Sequence, residues 1–243
     1  MKNNKIKSLA KMKKLVIKFF ICTLFTFFYG CSNETGQDWT YIFDGETFNG
    51  WHSYGEDKIG NQWSINNGEL IFTNDENESG QDILTKKEYT SFELSLEWNV
   101  SKGGNSGIFY HLKEGYGGPP EVAPEYQLLD DENYEEVHNY KLKEWQKTGA
   151  DYAMHIPDTL EKKLNPVGEW NSSRIVFTPE SVEHWLNGRK ILSFVPWSED
   201  WYKRRNSGKW SNAPDYAKFK TGFIGFQDHG SNLWFRNVKI KKL

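Results

Sequence analysis

Three short stretches of the 243-residue chain carry reactive side chains at spacings that chemistry can use. The first is Glu125-Tyr126-Gln127-Leu128-Leu129-Asp130. On a strand, successive side chains point to opposite faces. Glu125 and Gln127 therefore share one face, and Tyr126 and Leu128 the other. With the apolar pair turned to a core, Glu125 stands on the open face as a proton acceptor and Gln127 as a donor to hydroxyl groups. The bland alternative is a solvated sheet face. The second stretch is Gln227-Asp228-His229-Gly230. A turn histidine with an acid before it and a glycine after it can act as general acid, general base or metal ligand, or simply hold the turn. Gln227 and Asp228 beside it are read as substrate-binding groups. The third stretch is Asn105-Ser106 after Gly103-Gly104, which either binds hydroxyl groups of a ligand or forms an ordinary turn.

Other polar residues rank below these. His111 and His138 are isolated. His184 alternates with Val182 and Leu186, the pattern of a core residue. Arg236 shares parity with Trp234, Val238 and Ile240, so it needs a carboxylate or carbonyl partner and reads as a structural pin. Asp130, Asp228 and the histidines could supply ligands to a divalent cation, but none stands at a diagnostic spacing. No Gly-rich nucleotide loop is present.

The elements that must position these groups are strands. Short alternating runs recur between Gly, Asn, Asp and Pro turns, the pattern of an antiparallel sandwich. The clearest is Ser91–Val100, where Phe92, Leu94, Leu96 and Trp98 oppose Glu93, Ser95, Glu97 and Asn99. Strands are also expected at 40–43, 62–65, 69–73, 106–112, 125–129, 173–178, 223–227 and 233–241. Val182–Leu186 and Arg189–Phe194 flank Asn187-Gly188, a strong hairpin signal. One short helix is expected at 140–147, and a long aromatic loop at 196–220. The chain has 11 tryptophans. Trp63 and Trp98 read as core. Trp197, Trp201 and Trp210 lack a strand to bury them and are candidates for a binding rim, since large aromatics stack on sugar faces.

The N-terminus reads as targeting rather than fold. Seven lysines precede an apolar run from Phe19 to Tyr29, which is short for a membrane span of ~20 residues. The run ends at Gly30-Cys31, which resembles a bacterial lipobox, although Phe28 and Tyr29 are larger than that pattern prefers. The expected organisation is a signal peptide over 1–30, acylation at Cys31, a polar tether over 31–38 and one domain over 39–243. This predicts a cell-envelope lipoprotein held to a membrane by its lipid. Removing a leader with seven lysines and no acid takes the net charge from −3 to −10, which argues against nucleic acid as a partner. No cysteine then remains for a disulfide, so the domain must be held by its core.

Several motifs now line up in order: Phe43-Asp44-Gly45 with Gly50-Trp51, Gly104–Tyr110, Glu125–Asp130, Gly168-Glu169-Trp170-Asn171, Val182–Gly188, and Gly225–Gly230 with Phe235–Ile240. Together they resemble the 3-keto-disaccharide hydrolase domain family, over essentially the whole chain after the leader. The resemblance implies an all-β, concanavalin A-like (laminin G-like) jelly-roll sandwich, a glycoside or oligosaccharide substrate and an origin among Bacteroidetes lipoproteins. It also implies cleavage of 3-keto-glycosides. A ketone at C3 acidifies the C2 proton; a base removes it, an enolate forms at O3, and the C1 substituent leaves by β-elimination, with or without water adding back. Such a site needs a base, an acid for the leaving oxygen, and donors or a metal for the enolate. No cofactor is required. Glu125 and His229 are the expected catalytic pair, with Asn105, Gln127, Gln227, Asp228, Trp197 and Trp201 binding substrate.

Two other functions compete. A standard jelly-roll glycosidase places acids at alternate positions of one strand. Here Glu93, Ser95 and Glu97 lack the middle acid, and the outer pair stand ~13 Å apart along the strand at ~3.3 Å per residue, which requires convergence to reach retaining geometry. A non-catalytic carbohydrate-binding surface lipoprotein is the other, since such sandwiches often only bind.

Overall fold

A computed structural model describes residues 38–75, 77 and 80–243. The expected signal peptide, Cys31 and all of the tether but Asp38 lie outside the described residues. The strands are β1 Thr40–Tyr41, β2 Trp51–Ser53, β3 Trp63–Asn66, β4 Glu69–Phe72, β5 Ile83–Thr85, β6 Phe92–Val100, β7 Asn105–Leu112, β8 Glu125–Leu129, β9 Asn171–Phe177, β10 Val182–Leu186, β11 Arg189–Phe194, β12 Phe223–Phe226 and β13 Leu233–Lys242. They form two antiparallel sheets. One has eight strands in the order β11-β10-β9-β6-β13-β4-β3, with β1 added on β13; the other has five, β2-β5-β12-β7-β8. This is the expected jelly-roll class of sandwich.

The core lies between the sheets, and alternation builds it. On β6, Phe92, Leu94, Leu96, Trp98 and Val100 are buried while the residues between them are half-buried on the outer face. Across from it, Ile108, Tyr110, Tyr126, Leu128, Ile224 and Phe226 point inward from the smaller sheet. Phe226 stacks on Phe235 with ring centroids 4.3 Å apart, joining the two layers. Asn187 and Gly188 both have positive φ, 48° and 79°, so the β10–β11 hairpin closes on the tight turn its sequence specifies.

Two features shape the smaller sheet. The segment Thr148–Tyr152 lies along the free edge of β8: Gly149 N donates to Gln127 O, Gln127 N to Ala150 O and Tyr152 N to Glu125 O. The edge that carries Glu125 and Gln127 is thus covered, which removes an exposed template for aggregation. Second, β7 carries a bulge. Phe223 pairs with Leu112 but Gly225 pairs with Phe109, so β7 holds one extra residue, and His111 there adopts φ 51°. Tyr110 and His111 consequently both turn inward, His111 against Phe177 at 4.3 Å.

Three expectations about elements are corrected. Strands β2 and β5 were not anticipated, because three residues are too few to show a period. The helix expected over 140–147 is instead a helix α1 at Tyr134–His138 and a 3-10 turn at Glu144–Gln146. The expected loop over 196–220 contains a helix α2, Glu199–Ser207. Its signals are local: Ser198 caps it, accepting from Trp201 N; Glu199 and Asp200 fill its first turn; Arg204 and Arg205 fill its last.

Candidate active site

The outer face of the five-stranded sheet gathers most of the polar residues singled out in the sequence. Tyr126 and Leu128 enter the core, so Glu125 and Gln127 face outward, as alternation requires. Register places Glu125 beside Phe109 and Gln127 beside Gly107. Gln227 N donates to Gly107 O, which continues the same row onto the next strand. One strand further, Asp82 stands in the row of Gln227, just before the Ile83–Phe226 pair. Glu125, Gln127, Gln227 and Asp82 thus occupy one face of four adjacent strands, with Asn105 at the edge.

Gly107 provides the floor. A Cβ on Gly107 would lie 2.1 Å from Glu125 Oε1, so the carboxyl group lies across the space that any other residue would fill. Glu125 is only 4% exposed. No ion pair or side-chain hydrogen bond holds its carboxyl group among the described residues. Burial therefore dominates and pushes its pKa up to about 8; nearby Lys209 opposes the shift, and the charges of Asp82 and Asp151 add to it. Asp82 is raised to about 7, again mainly by burial, with the backbone N–H of Asp228 opposing and the Asp228 charge adding. Asp228 itself is raised by burial.

Two residues near Glu125 were not found in the sequence. Lys209 Nζ lies 4.3 Å from the ring of Tyr152 and 4.8 Å from that of Trp210, and donates to Tyr152 Oη at 3.3 Å. Its burial lowers its pKa, with the Glu125 charge opposing. Burial first, then the Glu125 charge, raises that of Tyr152. Neither residue sits on an alternating strand run, so parity gave no signal for them.

The remaining candidates are placed unequally. Gln127 is not a free donor: its Nε2 is given to Asn105 Oδ1 at 2.7 Å, and the Asn105 amide lies beside the hydroxyl group of Tyr134. Ser106 is turned inward and donates to Gln227 O, so the hydroxyl expected to meet sugar serves the fold. His229 is exposed on the turn after Gln227. Asp130 accepts from the backbone N–H groups of Gly103 and Asn133 and so holds the two turns that flank it. Among the described residues no three of His, Cys, Asp and Glu gather in a metal-binding cluster. His111, His138 and His184 contact the carbonyl oxygens of Thr90, Gly103 and Gly149, respectively. Burial pushes His111 and His184 each down to about 4, so both are neutral core residues at neutral pH.

The expectation of an open tryptophan rim is corrected. Trp201 and Trp210 are buried with Met154, Tyr216 and Ala217 in a small core of their own, where Trp210 stacks on Tyr216 at 4.2 Å. The half-buried Trp197 packs on Phe177 and donates its Nε1 to Ala217 O. Trp197 and Trp201 border a surface cavity of about 190 Å³ with Tyr202, Arg205 and Lys220, and Glu125 is not part of its lining. Helix α2 carries Trp201 inward, and the apolar partners come from Met154, Phe194, Tyr216 and Ala217 outside the helix. Glu93 and Glu97 lie on the outer face of the other sheet, where Arg174 Nη1 meets Glu93 at 2.7 Å and Arg236 Nε meets Glu97 at 2.6 Å. Arg236 is thus the pin expected of it, and its guanidinium also covers the ring of Trp170 at 4.0 Å.

The profile of the 3-keto-alpha-glucoside-1,2-lyase-like domain matches residues 38–241. A 3-keto-disaccharide hydrolase of Bacteroides thetaiotaomicron is 34% identical over 228 residues, covering 83% of this chain and 77% of that protein. A crystal structure of a candidate glycosyl hydrolase from Parabacteroides distasonis superposes with a TM-score of 0.78 at 45% identity, over 84% of this chain and 94% of the other. A Bacillus subtilis protein with a galectin-like fold reaches a TM-score of 0.53 at 12% identity, over 84% of this chain and 94% of its own, a likeness of fold alone.

Proposed function

This chain belongs to the 3-keto-alpha-glucoside-1,2-lyase-like domain family, and from that premise we propose that it cleaves the glycosidic bond of 3-keto-glycosides with Glu125 as the base. The observation that carries the assignment is the buried Glu125 carboxyl group lying over Gly107, unpaired among the described residues, with a pKa pushed up to about 8. A carboxylate in that state is a far stronger base than one in water, and its pKa lies near the working pH that general-base catalysis favours.

In the step proposed, Glu125 takes the C2 proton, the C2–H electrons form a C2–C3 enolate with its charge on O3, and that charge returns to the ketone as the C1–C2 double bond forms and the C1–O bond breaks. The departing oxygen receives a proton from His229, on the turn beside Gln227 and Asp228. The negative charge that develops at O3 is met by Asn105 Nδ2 and the Lys209 ammonium group. Addition of water across C1–C2 then returns the proton to C2 and gives net hydrolysis. No nucleotide cofactor enters this sequence; the oxidation that produces the ketone belongs to another enzyme. We further read the protein as an envelope lipoprotein acylated at Cys31, which a Cys31→Ser variant tests by loss of membrane association.

The test is substrate selectivity. Purified protein should release the aglycone from a 3-keto-glucoside and leave the parent glucoside intact, and in D₂O the sugar product should carry deuterium at C2. Cleavage of the unoxidised glucoside at a similar rate would overturn the proposal. Measurable sugar binding without turnover of either compound would favour a binding module.

A further inference from the structure

At the end of the face that carries Glu125, Asp82 and three further oxygen-bearing side chains gather with acceptors unmatched among the described residues. Asp228 donates its backbone N–H to Asp82 Oδ1 at 2.8 Å, and Asp228 Oδ1 accepts from Gly230 N at 2.8 Å. One oxygen of each carboxyl group is thereby used, and the other has no hydrogen-bond partner among the described residues. Neither carboxyl group pairs with a lysine or arginine among the described residues.

The other two groups are amides. Gln62 and Gln227 are each 8% exposed, and the Oε1 of both is buried without a hydrogen-bond partner. The orientation of the Gln62 amide is set independently, because its Nε2 donates to Asp75 O at 2.8 Å. Reversing the amide would press two acceptors together there. Gln62 Oε1 therefore points away from Asp75, toward Asp228. A Cβ on Gly80 would lie 1.4 Å from Asp228 Oδ2 and 3.0 Å from Gln62 Oε1, so these two oxygens are no more than about 4.4 Å apart. Gln227 is the neighbour of Asp82 across the β5–β12 pair, on the same face.

Oxygen acceptors facing one another without a donor between them repel and cost free energy while buried. A cation removes that cost. The donors are all hard oxygens, two carboxylates and two amide carbonyls, which matches calcium rather than zinc. A calcium ion with bonds of ~2.3–2.6 Å bridges a gap of this size, and it accepts irregular ligand sets that magnesium does not.

We propose that Asp82, Asp228, Gln62 and Gln227 form a calcium-binding site at the edge of the candidate active site. The existence of the site does not depend on the reaction proposed above; only its chemical use does. A bound ion would bring positive charge to a face dominated by Asp82, Asp228 and Glu125.

Titration of Ca²⁺ into the EDTA-treated full-length protein by calorimetry tests this. One ion should bind per chain with a dissociation constant on the order of 0.1 mM or tighter, and Mg²⁺ should bind at least about tenfold more weakly. Asp228→Asn should weaken binding at least tenfold. Gln62→Leu, outside the groups assigned to cleavage, should weaken it at least fivefold with an unchanged circular dichroism spectrum. Absence of Ca²⁺ binding to the wild-type protein, or binding that Gln62→Leu leaves unchanged, would overturn the proposal; if Asp228→Asn fails to fold, Gln62→Leu decides. Calcium binding without cleavage of a 3-keto-glucoside would sink the catalytic reading and leave this one standing. Cleavage without calcium binding would do the reverse.

Discussion

The two outer faces of the sandwich both carry carboxylates, and they treat them in opposite ways. On the eight-stranded sheet, Glu93 and Glu97 are half-exposed and each is matched by an arginine, Arg174 or Arg236, which in turn lies on a tryptophan ring. On the five-stranded sheet, Glu125 is buried, neither it nor Asp82 has a matching arginine among the described residues, and burial pushes the two up to about 8 and about 7. A paired carboxylate in partial contact with water stays ionised and contributes modestly to stability. An enclosed and unmatched one holds its proton more tightly, at a cost to the ionised fold. The first arrangement serves the fold, and the second suits proton transfer.

The sharpest way to break this contrast is to neutralise one acid on each face. Glu125→Gln should lower turnover of a 3-keto-glucoside at least 100-fold, within the range of general-base contributions, whereas Glu97→Gln should change it less than about threefold. Equal effects measured by steady-state kinetics would erase the distinction. Gly107→Ala comes next. Its added Cβ would stand 2.1 Å from Glu125 Oε1, so the carboxyl group must move, and turnover should fall ~10–100-fold with the base still present. His229→Ala should lower turnover about tenfold or more, toward the lower end of acid–base effects, and leave the melting temperature unchanged, because the residue is exposed.

Protonation offers a further test. The folded-state pKa values of Glu125 and Asp82 lie above the unfolded ones, so their contribution to stability is full below about pH 4 and is lost as the pH rises through about 7 to 8. Glu125→Gln should therefore be more stable than the wild type at pH 9, by up to a few kcal/mol at ~1.4 kcal/mol per pKa unit, with the gap closing toward pH 4. Over the same window kcat/KM should rise with pH as the interacting pair deprotonates. Denaturant melts and a rate profile check the two halves. The smallest effect belongs to the other face: Arg236→Ala, which loses a part-exposed ion pair and the contact with Trp170, should destabilise the fold by ~1–2 kcal/mol and leave the rate profile in place.

The same contrast separates what could be read in the sequence from what could not. Parity alone placed Glu125 and Gln127 on the open face, buried His184, and gave Arg236 its need for a carboxylate, because alternation survives folding wherever one face is buried. The Asn187-Gly188 hairpin was legible for a local reason, the positive φ that both turn residues adopt. Lys209 and Tyr152 were not legible, since they reach Glu125 from segments that follow no period. The burial of Trp201 and Trp210 was not legible because one partner, Met154, comes from a distant part of the chain and the other, Tyr216, from the same aperiodic segment, where only the Ser198 cap marks helix α2. Gln127 shows a subtler limit: parity gave its face, but not that its amide is already given to Asn105.

The extra residue at His111 resembles a dislocation in a crystal row. Before it, odd-numbered residues of β7 look outward and include Gly107, the bed of Glu125; after it, the phase is reversed and Leu112 joins the outer apolar cluster instead. The two halves of one strand are thereby put out of step. Substituting a residue in β7 disturbs one position. Deleting one would shift the pairing of every residue on one side of the cut, either carrying Gly107 out from under the carboxyl group or turning Leu112 into the core. For this strand, length is a more tightly held inheritance than composition.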